Sequence, residues 1–489
     1  MTAANRYDAI LYPTAPSEGT HPDRLATIAT LFGMNPAPVT RCRVLELACG
    51  DGGNLIPLAF WLPESRFIGI DLAERPIAAG QELASHLGLK NLTLAAKDVM
   101  EIDPDFGEFD YIIAHGLYAW TPPPVQERIL AVCRAHLAPQ GVAYISYNCY
   151  PGSRLRELAR DMMFQFARPL DSSPESLARV RQLLGFVSGA RANLGSWGSV
   201  MNKVCDMVGS RPDNVLAHDE MGEAYLPVYF HEFMSRAQRH DLQYLGEADF
   251  SEMNDRWLTP EEREWLSRVE GDPLLLREQY MDFLKCRFFR QTLLCRREGR
   301  LRRDLATEAV VKLLVSTLLR PVSERPDLDS PKPEEFRSLR GASLTASIPP
   351  VKRLMARLAE AWPRRVPVAE LISEGSPARQ VGEFLLRLCG TDMISLHTYW
   401  NPYVTRAGER PEASRLARLQ IERREQVTNQ EHVDVRLEGD LARELIRRLD
   451  GTRDRSALLA ELRRIDPETT PESLETNLTE LGNLALLTA

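Results

Sequence analysis

The sequence predicts an α/β protein whose first half is a doubly wound sheet of seven strands. From residue 43 to residue 147, short apolar segments alternate with longer amphipathic ones. A glycine-rich turn joins the first apolar segment to the first amphipathic one, and acidic residues follow the next two apolar segments. Apolar strands that are separated by helices indicate a parallel sheet with helices on both faces. Such a sheet binds its ligands at the carboxyl ends of the strands.

The periodicity of the apolar residues assigns the individual elements. The expected strands are 44–48, 66–71, 92–97, 109–114, 141–147, 242–247 and 292–294 within 288–297. The expected helices are 54–61, 75–87, 124–137, 154–166 and 231–240. Residues 172–209 have an irregular helical pattern, so we expect a helical insertion at about 168–220 over the carboxyl edge of the sheet.

The second half of the chain is expected to form two smaller α+β modules, at 298–405 and 406–489. Charged residues at 296–303 mark the exit from the first domain, 1–297, and precede an expected helix at 305–319. A proline-rich linker with breaks at Pro321, Pro326 and Pro331 follows. Two segments after this linker are each expected to contain a short strand, then two or three helices, then another short strand. The first segment is 342–399, and its last strand is expected at 393–399. The second segment runs from 433 to the end, and its helices are expected at 440–449 and 456–464.

These modules resemble winged helices, which bind DNA or pack against protein. No basic recognition helix stands out, so protein contact is favoured over DNA. The net charge of −8 over 489 residues also argues against a dedicated nucleic-acid binder.

The eight cysteines form no CxxC pair, which argues against a zinc knuckle or a disulfide framework. Without a signal peptide or a long apolar segment, we expect a cytoplasmic protein with no metal site and no membrane span. The sequence leaves a homodimer open.

The glycine-rich turn contains residues that we expect to bind a nucleoside cofactor. They are Glu46, Ala48, Cys49, Gly50, Gly53 and Asn54. Glycine is required where φ is positive or where a ligand touches the backbone. The spacing differs from the six-residue dinucleotide fingerprint, and S-adenosylmethionine has no pyrophosphate for a helix N-terminus to bind. The turn therefore favours S-adenosylmethionine over NAD, which remains the alternative, and Glu46 can orient the methionine ammonium through water.

Acidic residues after the second and third strands complete the expected cofactor site. Asp71 ends the second strand beside Leu72, and a carboxylate there accepts hydrogen bonds from both ribose hydroxyls. Asp98 follows the third strand, where it can accept from the adenine amino group while Val99 and Met100 flank the ring. Each aspartate could also be a helix N-cap or a turn residue. Their order behind the glycine-rich turn favours the cofactor interpretation.

Candidate groups for the reaction follow the fourth and fifth strands. His115, which together with Gly116 is also expected to contact the cofactor, could take a proton or only hold the cofactor through its backbone. Tyr118 lies in the same aromatic-rich loop, and Asn148 and Tyr150 offer an acceptor and a cation-binding ring near an incoming amine. The alternative is that the aromatic residues only pack under the insertion. No dedicated base is evident, so a lysine acceptor would lose its proton through burial beside a positive sulfonium.

Seven segments resemble the class I methyltransferases that carry a methyltransferase regulatory domain. They are 45–57, 109–116, 147–152, 229–233, 242–245, 289–295 and 449–453. The resemblance implies a seven-stranded, Rossmann-like methyltransferase domain with a regulatory-type region at about 220–297. It also implies S-adenosyl-L-methionine as cofactor and S-adenosyl-L-homocysteine as product. Ala48 stands where that family usually has glycine. The best understood members are rickettsial-type bacterial protein lysine methyltransferases, which modify outer-membrane surface proteins.

Three functions are therefore considered. The first is N-methylation of lysine side chains of a protein by in-line methyl transfer. The second is methylation of a small molecule or a peptide natural product, which a helical lid would suit equally well. The third is a regulatory protein that binds the cofactor without catalysis, and the complete set of cofactor acids makes it the weakest of the three.

Overall fold

The computed structural model describes most of the chain. It covers residue 12 and residues 14–166, 173–190, 195–222, 224–253, 258–268, 273–305, 307–338, 341–373, 378–391 and 393–489. Within these ranges, no helix is long and apolar enough to cross a membrane. The same ranges bring no three metal-ligating side chains into one group.

A seven-stranded sheet forms the first part of the molecule. Its strands are β1 (Arg43–Leu47), β2 (Arg66–Asp71), β3 (Leu92–Ala96), β4 (Phe109–Ala114), β5 (Leu137–Asn148), β6 (Leu242–Glu247) and β7 (Phe289–Arg296). The strand order is β3-β2-β1-β4-β5-β7-β6, in which β7 runs antiparallel to both of its neighbours. This confirms the predicted doubly wound α/β class, and each strand lies where the apolar segments predict it.

Helices cover both faces of this sheet. The longer helices of this part of the chain are α1 (Pro22–Leu31), α2 (Leu55–Trp61), α3 (Glu74–Leu87), α4 (Pro123–His136), α5 (Ser153–Phe166), α6 (Pro174–Ala190), α7 (Gly195–Gly209), α8 (Phe230–Arg239), α9 (Pro260–Ser267) and α10 (Pro273–Lys285). Neighbouring residues of one strand point to opposite faces, so Val44 packs with α1, α2 and α3, while Leu45 packs with α4 and α8.

The described part of the predicted helical insertion contains α6, α7 and a helical turn up to Glu220, and residues 168–172 and 191–194 lie outside the described part. It packs on α5, which contributes Ala159 and Met163 to the shared apolar cluster. Two arginines of α5 are bound by the end of the insertion. Arg156 pairs with the buried Glu220, and Arg160 donates to the carbonyl oxygen of that residue at 2.7 Å. The insertion is therefore joined to α5 by both apolar contacts and buried ion pairs.

A buried cluster of ion pairs joins β7, β6 and α10. The guanidinium of Arg290 is fully buried and donates to the carboxylates of Asp282, Glu278 and Glu247. Arg287 also contacts Asp282, at 3.1 Å. A buried charge is stable only when it is paired, so each member of this cluster depends on the others.

The middle module corrects two predictions. The expected helix at 305–319 is wrong, because the helix α11 (Thr307–Val311) ends early and is followed by strand β8 (Leu314–Ser316). The proline-rich linker is also wrong, because β9 (Arg320–Pro321) pairs with β10 (Glu334–Arg337). Proline is accepted at such an edge strand because no ladder donor is required there. The intervening loop is ordered by the buried Lys352, whose ammonium contacts the carbonyl oxygens of Asp327, Ser330 and Lys332.

The rest of the middle module has the expected mixture of helices and short strands. Its elements are β11 (Ser343–Ala346), α12 (Pro349–Ala361), β12 (Val366–Pro367), α13 (Val368–Ser373), α14 (Ala378–Leu388) and β13 (Ser395–His397). The strand β8 lies between β12 and β13 in a three-stranded antiparallel sheet. The predicted strand at 393–399 is therefore present but shorter.

The C-terminal module has a different order, so the two modules are not repeats of one pattern. Its elements are α15 (Arg415–Gln420), β14 (Gln426–Thr428), β15 (Asp434–Arg436), α16 (Asp440–Arg448), α17 (Arg455–Leu462) and α18 (Pro471–Asn483). Both strands come before the last three helices and form one hairpin. The last helix, which begins at the capping residue Thr470, was not among the predicted elements. The boundaries at 297 and 405 stay predictions.

Candidate cofactor and transfer site

The glycine-rich turn after β1 folds into a tight left-handed path. Ala48, Gly50 and Gly52 have φ angles of 60°, 57° and 77°. The Asp71 carboxylate, at the end of β2, accepts hydrogen bonds from the backbone N–H of Gly50 and that of Ala73, both at 2.9 Å. One carboxylate thus fixes the turn relative to the adjacent strand end.

Glu46 lies inside β1 under this turn and is 4% exposed. Its Oε1 accepts a hydrogen bond from Asn54 Nδ2 at 3.0 Å. Within the described part of the chain, its Oε2 is buried with no donor. Burial, together with the negative charge of Asp71, raises the pKa of Glu46 to about 8. An acceptor that is buried and unsatisfied is the feature expected where a cationic ligand group approaches.

The turn after β3 carries the predicted adenine-binding residues. Asp98 Oδ1 accepts from the N–H of Met100 at 2.9 Å, so the carboxylate caps this turn. The guanidinium of Arg128 donates to the carbonyl oxygen of Val99 at 3.3 Å and holds the turn against α4. Leu72 and Met100 are apolar but 62% and 44% exposed, respectively. Exposed apolar side chains at two adjacent strand ends suit the faces of a flat aromatic ligand.

The transfer end is built from β4 and β5. His115 Nδ1 lies 2.9 Å from the hydroxyl of Tyr144 and 3.3 Å from that of Ser146. Ser146 Oγ also accepts the N–H of Gly116 at 2.8 Å. Burial lowers the pKa of His115 to about 4, so its ring is neutral near pH 7. A neutral imidazole that is held by two hydroxyls positions its neighbours and is a weak base.

Tyr144 and Ser146 are absent from the sequence-predicted site. In register, Glu46 of β1 lies beside Ile113 of β4, which lies beside Tyr144 of β5. Glu46 and Tyr144 therefore share one face of the sheet. The signal in the sequence is the alternation at residues 144, 146 and 148, which places polar atoms on one face of the carboxyl end of a strand.

The structure places Tyr118, one of the predicted reacting groups, in the apolar core. Its side chain is fully buried and packs edge-on against Phe233 of α8, with ring centroids 5.2 Å apart. Its hydroxyl accepts from Arg236 Nη1 at 3.5 Å. Tyr118 thus belongs to the core between β5 and α8, a position that favours the packing alternative.

Asn148 and Tyr150 lie at the end of β5, where the structure groups several aromatic rings. Asn148 is buried, and Tyr150 is half-buried with its ring 5.0 Å from that of Tyr229. The guanidinium of Arg154 stacks on the Tyr150 ring at 3.8 Å. The Tyr150 hydroxyl donates to Glu157 Oε1 at 2.5 Å. The Tyr229 ring also contacts the exposed Phe283, so an aromatic surface with a carboxylate extends to solvent.

A segment before α1 crosses the glycine-rich turn. Thr14 Oγ1 accepts from the N–H of Gly53 at 3.1 Å and contacts the carboxylate of Asp51. The N–H of Ser17 and the hydroxyl of Thr20 both donate to Asn54 Oδ1, at 3.1 Å and 3.0 Å. No pattern in the sequence predicts these contacts, because they join residues 34 to 39 positions apart without a shared element.

Three family models match the chain. Residues 44–141 match a methyltransferase domain, 212–296 a predicted methyltransferase regulatory domain, and 409–469 the C-terminal winged helix domain of PKMT. Uncharacterized protein RP028 of Rickettsia prowazekii is 33% identical over 240 residues, which make up 49% of this chain and 96% of that relative. The chain belongs to the class I methyltransferases with a methyltransferase regulatory domain.

A longer relative and a solved structure extend the comparison of this methyltransferase. Uncharacterized protein RP789 of Rickettsia prowazekii is 36% identical over 323 residues, or 66% of this chain. The match covers 58% of RP789, so the chain spans less than two thirds of that relative. The structure of PKMT2 from Rickettsia typhi in complex with AdoHcy is 25% identical and has a TM-score of 0.88. That comparison covers 98% of this methyltransferase and 100% of PKMT2.

The residues of this methyltransferase fit S-adenosylmethionine. The buried Oε2 of Glu46 is an acceptor for a cationic group, and Asp71 offers a carboxylate beside the glycine-rich turn. Leu72 and Met100 offer apolar contacts next to the carboxylate of Asp98. This donor set contains the ionic, polar and apolar groups that the three parts of the nucleoside require.

Replacing Ala48 by glycine is expected to stabilise this methyltransferase. Ala48 adopts a left-handed φ of 60°, which costs a residue with a Cβ about 1–2 kcal/mol. Glycine loses about 0.5–1 kcal/mol more backbone entropy on folding than alanine. The free energy of unfolding in urea should therefore rise by about 0.5–1 kcal/mol. The control Ala78→Gly, on the exposed side of α3, should lower it by about 1 kcal/mol. Equal losses in both variants would contradict the strain at residue 48.

Cofactor binding is expected to release a proton from Glu46. The pKa of Glu46 in the folded protein, about 8, exceeds the ordinary value of 4.5. The protonated Glu46 therefore contributes fully to the free energy of unfolding below pH 4.5, and this contribution is lost as the pH rises to about 8. A ligand ammonium favours the ionised carboxylate. The affinity for S-adenosylhomocysteine should thus increase between about pH 6 and about pH 8. Calorimetry in two buffers of different ionisation enthalpy measures the released proton, and Glu46→Gln should abolish it. Equal heats in both buffers for the unmodified protein would refute this linkage.

Proposed function

We propose that this methyltransferase transfers a methyl group from S-adenosylmethionine to lysine side chains of a protein. The observation that carries the proposal is the similarity to PKMT2 over nearly the whole of both chains. This similarity includes the C-terminal module. The family model that matches this module is also described as a domain of PKMT. A similarity confined to the Rossmann-like sheet would support methyl transfer alone and would leave the acceptor open.

The cofactor-binding roles are proposed for residues around the turn and the strand ends. In this proposal Cys49, Gly50 and Gly53 line the amino-acid tail of the nucleoside, and Glu46, which Asn54 orients, binds its ammonium. Asp71 accepts from the ribose hydroxyls beside Leu72. Asp98, Val99 and Met100 contact the adenine, while His115 and Gly116 close the site near the methyl group. The bound cofactor supplies an electrophilic methyl group on a positively charged sulfur.

The transfer end supports an acceptor that arrives as a neutral amine. His115 is neutral and lies against two hydroxyls, so the chain holds no strong base at this position. A lysine ammonium that enters a buried site near a positive charge has a lowered pKa and loses its proton to water. In this proposal the aromatic ring of Tyr150 attracts the incoming ammonium through a cation–π contact, and Asn148 orients the neutral amine through a polar contact. In-line geometry and exclusion of water provide the remaining acceleration.

Mass spectrometry with heavy-methyl S-adenosylmethionine tests the acceptor. The full chain is incubated with a protein fraction, a nucleic-acid fraction and a small-molecule fraction of a cell lysate. We expect the label on the Nζ atoms of lysine residues in proteins, and none with the Asp71→Ala variant. Label confined to small molecules or nucleic acid would overturn the lysine proposal. Cofactor binding without transfer to any fraction would indicate a regulatory protein.

A further inference from the structure

One side chain of the C-terminal module reaches the cofactor site. His432 lies in the turn between β14 and β15, and its Nε2 is 2.8 Å from Oδ1 of Asn54. These two residues are 378 positions apart in the sequence. His432 is 2% exposed, so this contact is buried inside the molecule.

The amide of Asn54 is oriented by this contact. Its Oδ1 accepts from Ser17 N, Thr20 Oγ1 and His432 Nε2, and its Nδ2 donates to Glu46 Oε1. If the Asn54 amide were rotated by 180°, its oxygen would face the carboxylate of Glu46 and its NH2 group would face three hydrogen-bond donors. The orientation shown is the one in which Glu46 Oε1 is satisfied, while its buried Oε2 has no donor among the residues that the structure describes.

The turn that carries His432 is itself held in place. His432 has a left-handed φ of 61°, and its N–H donates to the carbonyl oxygen of Asn429 at 3.2 Å. The side chain of Asn429 accepts from the N–H groups of Glu431 and Val433, both at 3.0 Å. Such a turn presents the imidazole in one direction at little further entropic cost.

The module around this turn is packed on the cofactor domain. Leu416 of α15 belongs to the apolar core beneath the sheet, together with residues of α1 and α2. Arg423 pairs with Glu82 of α3 at 2.9 Å, and Arg415 donates to the carbonyl oxygen of His86 at 2.7 Å. The His432 contact is therefore part of a larger interface between the C-terminal module and the cofactor domain.

We infer that His432 is a positioning residue of the cofactor site, through which the C-terminal module sets the affinity for the S-adenosyl nucleoside by orienting Asn54 against Glu46. The inference gives the module a role in cofactor binding besides any role in contacting a protein substrate. It rests on the proposed cofactor and not on the proposed lysine acceptor. Thermodynamic linkage is reciprocal: if the docked β14–β15 turn raises the affinity for the nucleoside, bound nucleoside stabilises the docked position of that turn.

Variants of the full chain test this role by calorimetric titration with S-adenosylhomocysteine. His432→Leu removes the donor at similar volume and should raise Kd about tenfold, the effect of one lost buried hydrogen bond. His432→Gln keeps an N–H donor and should restore Kd to within about threefold. The matched control Glu431→Gln weakens the ion pair from the same turn to Arg365 and should leave Kd unchanged. A folded His432→Leu variant with unaltered Kd, or an equal loss in Glu431→Gln, would overturn the inference.

Hydrogen exchange on the unmodified chain provides a second test that does not depend on any variant folding. Amides of residues 429–433 should exchange more slowly when S-adenosylhomocysteine is bound. Unchanged exchange at these residues, with slowed exchange at residues 48–54, would refute the coupling but keep the cofactor assignment. If the unmodified chain does not bind the nucleoside at all, the proposed function itself fails.

Discussion

Replacing Asp71 by alanine is expected to weaken binding of S-adenosylhomocysteine at least about 100-fold. The carboxylate holds the N–H groups of Gly50 and Ala73, and a hydrogen bond to a charged group contributes about 1.5–3 kcal/mol. Loss of the two bonds frees the glycine-rich turn, and loss of the carboxylate also removes the proposed acceptor of the ribose hydroxyls. Because a factor of ten corresponds to about 1.4 kcal/mol, the combined effect exceeds two orders of magnitude.

Calorimetric titration measures this loss, and Asp103→Ala is its control. Asp103 is an exposed acid whose interaction with Lys97, at 3.7 Å, is a surface ion pair. Its removal should change Kd by less than about twofold, because such pairs contribute little. An Asp71→Ala variant that binds the nucleoside within about fivefold of the unmodified protein would show that the turn does not depend on this carboxylate.

Replacing Arg290 by methionine is expected to destabilise the fold by about 3–5 kcal/mol. The side chain of Arg290 is fully buried, and its removal leaves the carboxylates of Asp282, Glu278 and Glu247 without their shared cation. These three residues lie on α10 and β6, which pack around the antiparallel end of the sheet. Methionine fills a similar volume, so the loss reports the unpaired charges rather than a cavity.

Urea unfolding followed by far-ultraviolet circular dichroism measures this effect. The control Arg353→Met removes the exposed partner of Asp329, an ion pair at 2.8 Å, and should cost less than about 1 kcal/mol. If Arg290→Met lowered the free energy of unfolding by no more than Arg353→Met, the buried cluster would not contribute to stability in the way that its geometry indicates.

The sheet and its cofactor turn could be predicted from the sequence because their signals are local. Each strand of the first domain is an apolar segment between amphipathic ones, and the acids at 71 and 98 follow directly at strand ends. Parallel strands place their carboxyl ends at one edge, so chain order alone brings these residues together. The positive φ at Ala48 shows that its backbone adopts the left-handed conformation that glycine takes without strain.

The errors arise where a local pattern allows two structures. An apolar segment such as 313–319 suits a buried strand as well as a helix, and only its antiparallel partners β12 and β13 decide between them. Tyr118 lies in a loop with the composition of a binding site, yet Arg236 and Phe233, more than a hundred residues later, enclose it in the core. Contacts of this kind have no counterpart in the local sequence.

The contacts of Thr14 and His432 with the cofactor turn could not be predicted for the same reason. Both residues reach the turn from separate parts of the chain, and neither lies in a motif. Their positions depend on packing of α1, of the middle module and of the C-terminal module against the sheet. Asp23 of α1 illustrates this dependence, because its carboxylate binds His397 Nδ1 at 2.8 Å and the N–H of Thr398 at 2.7 Å in the middle module.

The most direct test is a calorimetric titration of the purified full chain with S-adenosylhomocysteine, with a nicotinamide dinucleotide titrated in parallel. A site built from the turn at residues 48–54 and the acids Glu46, Asp71 and Asp98 should take up one S-adenosylhomocysteine per chain and should give no heat with the dinucleotide. Saturable binding of the dinucleotide, with no heat from S-adenosylhomocysteine, would contradict it.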